Sequence, residues 1–350
     1  MRRVVIKLGT GILTQGIGKV DTIRIDAICS QVAELRKRGI QALIVSSGAV
    51  GMGMGTLDIQ VRPKTIAKQQ ACAAIGQSRL IQCWQAGLQP HGLVAGQVLL
   101  THDDLRIRNR YVNAKATLEQ LLAYGVVPII NENDTVSAYE IRFGNNDILG
   151  AMVASLSDAD QYQILSTAPG LIDMDGDGKI IPVVEAITPE ILALAKGTDS
   201  PTAVGGMVSK LEAARIAAES GCETYIACGS EEEIILRILE GESVGTCFKP
   251  SPSPLGSKKR WLAYFQRASG SITIDAGACE AVLRSGRSLL ARGVASFDGH
   301  FHAGDVVDIL NPDGETIARG EISFSSAEMA NIADKSVAEL NALYPCLLYT

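Results

Sequence analysis

Short apolar runs and amphipathic stretches alternate along most of this chain. The runs "VVIKL" (4–8), "QALIVSS" (41–47), "LVAGQVLL" (93–100), "VVPIIN" (126–131), "QYQILST" (161–167) and "ETYIACG" (223–229) predict short buried strands. Between them, "IRIDAICSQVAELRKRG" (23–39) places Ile25, Ile28, Cys29, Val32 and Leu35 on one helical face, with Gly39 as the stop. "TIAKQQACAAIGQSRLIQCWQAGL" (65–88), "NDILGAMVASL" (146–156) and "KLEAARIAAESG" (210–221) predict further helices. Continuous apolar strands interleaved with helices imply an α/β fold, with a mostly parallel central sheet covered by helices on both faces. Ligands of such sheets bind at the carboxyl ends of the strands.

The pattern changes at "FKPSPSPLGSKKRW" (248–261), where prolines and serines read as a linker. Beyond it, "VASFDGHFHAGDVVDILNPDGETIARGEI" (294–322) has strand alternation around the turn signal "NPDGE". The expected organisation is an α/β domain over 1–249, a linker over 250–260 and a small β-rich domain over 261–345.

Composition narrows the function classes. The 350 residues are 47% hydrophobic and 20% charged, as in ordinary globular proteins. Net charge is −6 and the pI is near 5.4, which argues against nucleic-acid binding through the whole surface. Glycines are many (35) and aromatics few (5%), a mix suited to tight backbone turns around small ligands. Eight scattered cysteines with no C-x-x-C pair, several inside predicted helices, point to reduced thiols and a cytoplasmic location. The chain opens directly on a strand pattern, so no leader is expected, and no apolar run approaches a membrane span.

The candidate chemistry follows the strands. Lys7 interrupts the first apolar run just before "GTG" (9–11), and a lysine there asks for an anion. "SSGAVGMGMG" (46–55) reads as a glycine-rich turn whose bare backbone N–H groups can cradle carboxylate or phosphate oxygens. "NENDTV" (131–136) and "FGNND" (143–147) gather Asn131, Asp134, Asn146 and Asp147. Acids for an ammonium and amides for a carboxylate suit a zwitterionic ligand, whereas ordinary helix capping accounts for only one of the four. In "VGGMVSKLEAA" (204–214), two glycines lead into a helix and Lys210 opposes its dipole, an arrangement that favours an anion between them.

Other signals fail. There is no G-x-x-x-x-G-K-[ST], and "GMGMG" misses the G-x-G-x-x-G spacing. "DMDGDG" (173–178) imitates the start of a calcium loop, but Val184 stands where the bidentate Glu belongs. His300 and His302 have no further ligands nearby in sequence, and none of the four histidines adjoins an obvious nucleophile.

Together these stretches resemble one family closely. The matching segments are "VVIKLGTGIL", "IVSSGAVGMG", "KQQACAAIGQSRL", "GQVLLTHDDL", "RNRYVNAKATLEQLL", "VVPIINENDTV", "FGNND" and "VGGMVSKLEAA". On these, nearly the whole chain is similar to the glutamate 5-kinase family of the amino acid kinase superfamily, and its tail is similar to the PUA domain that bacterial members often carry. The resemblance implies an amino acid kinase-type sandwich and transfer of the ATP γ-phosphoryl group to the γ-carboxylate of L-glutamate, the first step toward proline. It also implies Mg²⁺, a homo-oligomer (dimer or tetramer) and feedback inhibition by L-proline.

Carried over position by position, the resemblance makes Lys7 and Lys210 the phosphate-binding lysines and Asp147 the acid that orients them. Ser47, Gly48, Asp134 and Asn146 match glutamate-holding positions. Gly9, Ser166, Thr167 and the loop Val204, Gly205, Gly206, Met207, Val208, Ser209 and Lys210 match the nucleotide site. No protein ligand to the metal is singled out. The chain departs from the family pattern in "GNND" for "GDND" at Asn145, in Ser166-Thr167 for a Thr-Asp pair, and in its ending "LYPCLLYT". Two other readings stand beside this one. The first is a superfamily kinase acting on acetylglutamate, aspartate, carbamate or a nucleotide. The second is an RNA-binding regulator using the tail, with "SKKRW", Arg284, Arg287 and Arg292 as its positive charge.

Overall fold

The computed structural model describes residues 2–16, 18–137, 146–173, 176–197, 206–254, 256, 260, 268–285, 289, 293–332 and 348–349. The chain divides into two compact units, Met1–Gly256 and Ser257–Thr350.

The first unit is built on β1 (Arg3–Leu8), a small hairpin of β2 (Thr14–Gly16) and β3 (Lys19–Val20), and then β4 (Gln41–Ser46), β5 (Ala95–Leu100), β6 (Val127–Glu132), β7 (Gln161–Ser166), β8 (Val183–Val184), β9 (Glu223–Cys228) and β10 (Thr246–Phe248). Eight of these form one sheet in the order β5-β6-β4-β1-β7-β9-β10-β8. The six strands from β5 to β9 run parallel, and β10 and β8 run the other way. Every residue of β4, β6 and β7 is buried, as helices on both faces require. β1 lies between β4 and β7, at the point where the strand order reverses, and the crevice beyond that point is where such sheets take ligands.

The predicted helices form at Thr22–Lys37, Ile66–Leu88, Asn146–Leu156 and Met207–Glu219. One expectation is corrected. The stretch after β4 is not a bare turn: Ala49–Thr56 is helical, and only Gly48, at φ 106°, keeps a turn conformation. Its glycines serve packing. Added Cβ atoms at Gly53 and at Gly76 of the facing helix would run into the backbones of Cys72 and Ala49. The two helices therefore touch along backbone, and from Met52 onward the N–H groups are used inside the helix.

The second unit is a five-stranded sheet of β11 (Gly270–Ile274), β12 (Val294–Gly299), β13 (Val306–Leu310), β14 (Thr316–Ile322) and β15 (Leu348–Tyr349), in the order β12-β11-β13-β14-β15. Ile272, Ile274, Phe301, Val307, Ile309 and Ile322 fill its core. The "NPDGE" turn joins β13 to β14 as its sequence predicts. Among the described residues, no helix is long and apolar enough to cross a membrane.

Candidate active site

Three charged side chains, two lysines and an aspartate, meet past the carboxyl ends of β1 and β7. Lys7 is on β1, one residue from its end, and is 6% exposed. Asp147 is in the first turn of helix Asn146–Leu156 and Lys210 in the first turns of helix Met207–Glu219. Lys7 Nζ lies 2.6 Å from Asp147 Oδ1, and Lys210 Nζ lies 3.1 Å from Asp147 Oδ2. One buried carboxylate therefore holds two ammonium groups. Burial alone would raise the Asp147 carboxyl, but Lys7 and then Lys210 outweigh it and hold it below the usual carboxylate range. Burial pulls the Lys210 ammonium down, against the attraction of Asp147. The site thus carries more positive charge than Asp147 neutralises, an electrostatic shape that fits phosphate.

The surrounding backbone agrees with that charge. Helix Met207–Glu219 starts at Gly206 with no side-chain cap, so its first N–H groups point outward unpaired by the helix. Ser209 Oγ lies within hydrogen-bond reach of Asp147 Oδ2 (3.1 Å) and the Gly206 carbonyl (2.9 Å). Met207 is half-buried and Val208 exposed at this helix start. Gly9 follows β1 with its N–H donating to the Leu165 carbonyl (3.0 Å), so that N–H is taken. A Cβ at Gly9 would stand 3.8 Å from Lys7 Nζ, in space beside the ammonium. Ser166 ends β7 and its Oγ accepts from the Ala168 N–H (3.2 Å), while Thr167 Cγ2 faces Gly11. Val204, Gly205 and Asn145 lie outside the described residues.

The amide half adjoins the charged half through the start of one helix. Asn146 Nδ2 reaches Ser47 Oγ (2.8 Å), Asn131 Oδ1 (2.9 Å) and the Ser46 carbonyl (3.2 Å). Asn131 Nδ2 donates to Gln77 Oε1 at 2.9 Å, and Trp84 Nε1 donates to Ser46 Oγ at 3.0 Å. Tyr162 OH donates to the Asp147 carbonyl at 2.7 Å, pinning the helix start from β7. Gln77 Nε2, Glu132 Oε1 and Asp134 Oδ1 are buried without a hydrogen-bond partner among the described residues. One orphan donor and two orphan acceptors are costly in an empty protein and match a ligand bearing both a carboxylate and an ammonium.

The Asp134 carboxyl is pushed up to about 7 by its burial and by the charge of Glu132, with Arg62 opposing. His102 Nδ1 stands 3.1 Å from Glu132 Oε2, both residues being buried.

The structure thus gathers Lys7, Lys210, Asp147 and Ser209 around one carboxylate, and Ser47 and Asn146 around one amide. Sequence reasoning missed Gln77, Trp84, Tyr162 and the His102–Glu132 pair. Gln77 and Trp84 sit within a helical pattern that explains them as ordinary helix positions, so no local signal marked them. Among the described residues, no group of three His, Cys, Asp or Glu side chains is placed to hold a metal. The described cysteines are free thiols.

Comparison with known proteins completes the picture. A family model described as the amino acid kinase family matches residues 2–228, and one described as the PUA domain matches residues 270–344. The chain is similar to a protein named glutamate 5-kinase from Myxococcus xanthus (strain DK1622), 42% identical over 346 residues, covering 98% of this chain and 92% of the relative. It is also similar to proteins of the same name from Trichlorobacter lovleyi, 43% identical with 98% and 92% covered, and from Moorella thermoacetica, 42% identical with 98% and 92% covered.

Proposed function

The chain belongs to the glutamate 5-kinase family, with an amino acid kinase unit followed by a PUA domain, and from this we propose that it transfers the γ-phosphoryl group of ATP to the γ-carboxylate of L-glutamate, with Lys7 and Lys210 bracketing the moving group. The observation that carries the reading is the pair of buried ammonium groups on one carboxylate, next to an amide cup with orphaned polar atoms.

The chemistry follows from charge. A γ-carboxylate is ionised at neutral pH and is already a nucleophile, so no general base is needed. One carboxylate oxygen forms a bond to the γ-phosphorus while the bond to the bridging oxygen breaks, and ADP leaves with that electron pair. Negative charge spreads over the three equatorial oxygens, and the protein's task is positioning and electrostatic stabilisation. Asp147 keeps both lysines at one point before the nucleotide arrives, so no reorganisation is needed at the moment of transfer. Ser47, Gly48 and Asn146 hold the substrate's carboxylates, and Asp134 receives its α-ammonium. Gly9, Ser166, Thr167 and the loop 204–210 hold the nucleotide. Mg²⁺, when bound, would be held chiefly through the substrate phosphates and its own waters, and would help to neutralise their charge.

A homo-oligomer, inhibition by L-proline and a cytoplasmic location belong to the same proposal; light scattering and an assay with added proline test the first two. The reaction itself is tested by trapping the acyl phosphate with hydroxylamine. Hydroxamate is expected from L-glutamate and ATP. Equal or faster turnover of N-acetylglutamate, which lacks the α-ammonium, would overturn the assignment of the acceptor.

A further inference from the structure

Two residues before Asp134 stands a buried histidine–glutamate pair that the reaction scheme does not use. His102 and Glu132 are 5% and 2% exposed, and the ring nitrogen and carboxylate oxygen are 3.1 Å apart. They sit side by side for a structural reason: β5 and β6 are parallel neighbours with Leu100 opposite Glu132, and His102 opens the short helix after β5. That helix start is itself held by a reciprocal pairing of Thr101 and Asp104, so the ring has little freedom to leave. Glu132 Oε1 has no hydrogen-bond partner among the described residues, and neither has Asp134 Oδ1 two residues further on. Two buried carboxylates close together, each with an empty oxygen, make a poor resting state and a good receptor for a cation.

We propose that Glu132, anchored by His102, is a positioning residue that places a second negative charge behind Asp134 and so sets the pH range over which the pocket accepts the substrate's α-ammonium. The inference rests on the proposed role of Asp134 as the ammonium-binding group. Among the described residues, the charges that act on Asp134 are those of Glu132, at the end of β6, and Arg62, in the segment before helix Ile66–Leu88, and His102 contacts Glu132. Above the Asp134 titration, the Asp134 carboxylate is ionised and attracts the ammonium. Below it, Asp134 keeps its proton and the attraction falls.

The test is the KM for L-glutamate as a function of pH, with the KM for ATP as control. In the wild type, the glutamate KM is expected to rise as pH falls through about 7 while the ATP KM stays flat. In Glu132→Gln, the rise is displaced to lower pH, and the glutamate KM above pH 8 increases about tenfold with a small change in kcat. Glu132→Asp, which keeps the charge, returns the rise to its wild-type position. A wild-type glutamate KM that is flat across pH 5.5–8.5 overturns the proposal even if no variant folds. So does a Glu132→Gln profile that superimposes on the wild type. Asp134→Asn separates the two levels of the argument. If it leaves the glutamate KM unchanged, the substrate-site reading fails. If it raises that KM at every pH while Glu132→Gln behaves as wild type, the failure is confined to the role of Glu132.

Discussion

Replacing Asp147 with asparagine keeps the shape of the side chain and removes the one charge that two buried lysines share. In the native protein the contacts are 2.6 Å to Lys7 and 3.1 Å to Lys210. With an effective dielectric of 20, these distances correspond to about 6 and about 5 kcal/mol of attraction. Much of that offsets the desolvation of three ions, each costing several kcal/mol. The loss on breaking such a network is about 3–5 kcal/mol, because two cations then remain buried without a counter-charge.

The pH dependence gives the sharper test. Asp147 is depressed in the folded state, so its stabilisation is present above the ordinary carboxylate range and fades as pH falls through the folded value. Lys210 is already pulled down by burial, and without Asp147 it falls further. The variant therefore carries its penalty at neutral pH and sheds it as Lys210 deprotonates on the alkaline side. Urea denaturation of both proteins at pH 7 and pH 9.5 reads this directly. The deficit should be about 3–5 kcal/mol at pH 7 and clearly smaller at pH 9.5, and added sulfate should recover part of the neutral-pH loss. Equal stability at pH 7, or a deficit that does not change with pH, would show that the two ammonium groups do not depend on this carboxylate.

Lys7→Ala and Lys210→Ala should each lower kcat at least about a hundredfold in the hydroxamate assay, since one donor to developing charge supplies about 3–4 kcal/mol; near-normal turnover in either refutes its role. Asn146→Ala removes the amide that ties Ser47 to Asn131, and should raise the glutamate KM by about tenfold or more while the ATP KM moves little. Gly76→Val forces a side chain into the Ala49 backbone and should destabilise the protein by about 1–3 kcal/mol or more in thermal melts, an outcome a surface glycine would not give. Tyr162→Phe should cost about 1 kcal/mol through loss of its bond to the Asp147 carbonyl, with a fall in kcat that exceeds any change in ATP KM.

Much of the architecture was legible in the chain because the relevant signals are local. Six apolar runs became six parallel strands, and the four long amphipathic stretches became helices within a few residues of their expected limits. The two compact units divide between Gly256 and Ser257. The glycines after β4 were misread because glycine carries no pattern of its own. A turn and a helix packed tightly on its neighbour both call for an absent side chain, and only the presence of Cys72 and Gly76 across the gap distinguishes them.

The chain by itself determined which residues could do chemistry: a lysine trapped in an apolar strand, acids and amides after two others, and a lysine at the wrong end of a helix. Those features are set by neighbours in sequence. The tertiary structure alone decided that the two lysines share Asp147, that Asn146 bridges Ser47 and Asn131, and that His102 braces Glu132. Parallel strand register brings the carboxyl ends of distant segments to one edge of the sheet. Electrostatic coupling then depends on distance through the protein, not on separation along the chain.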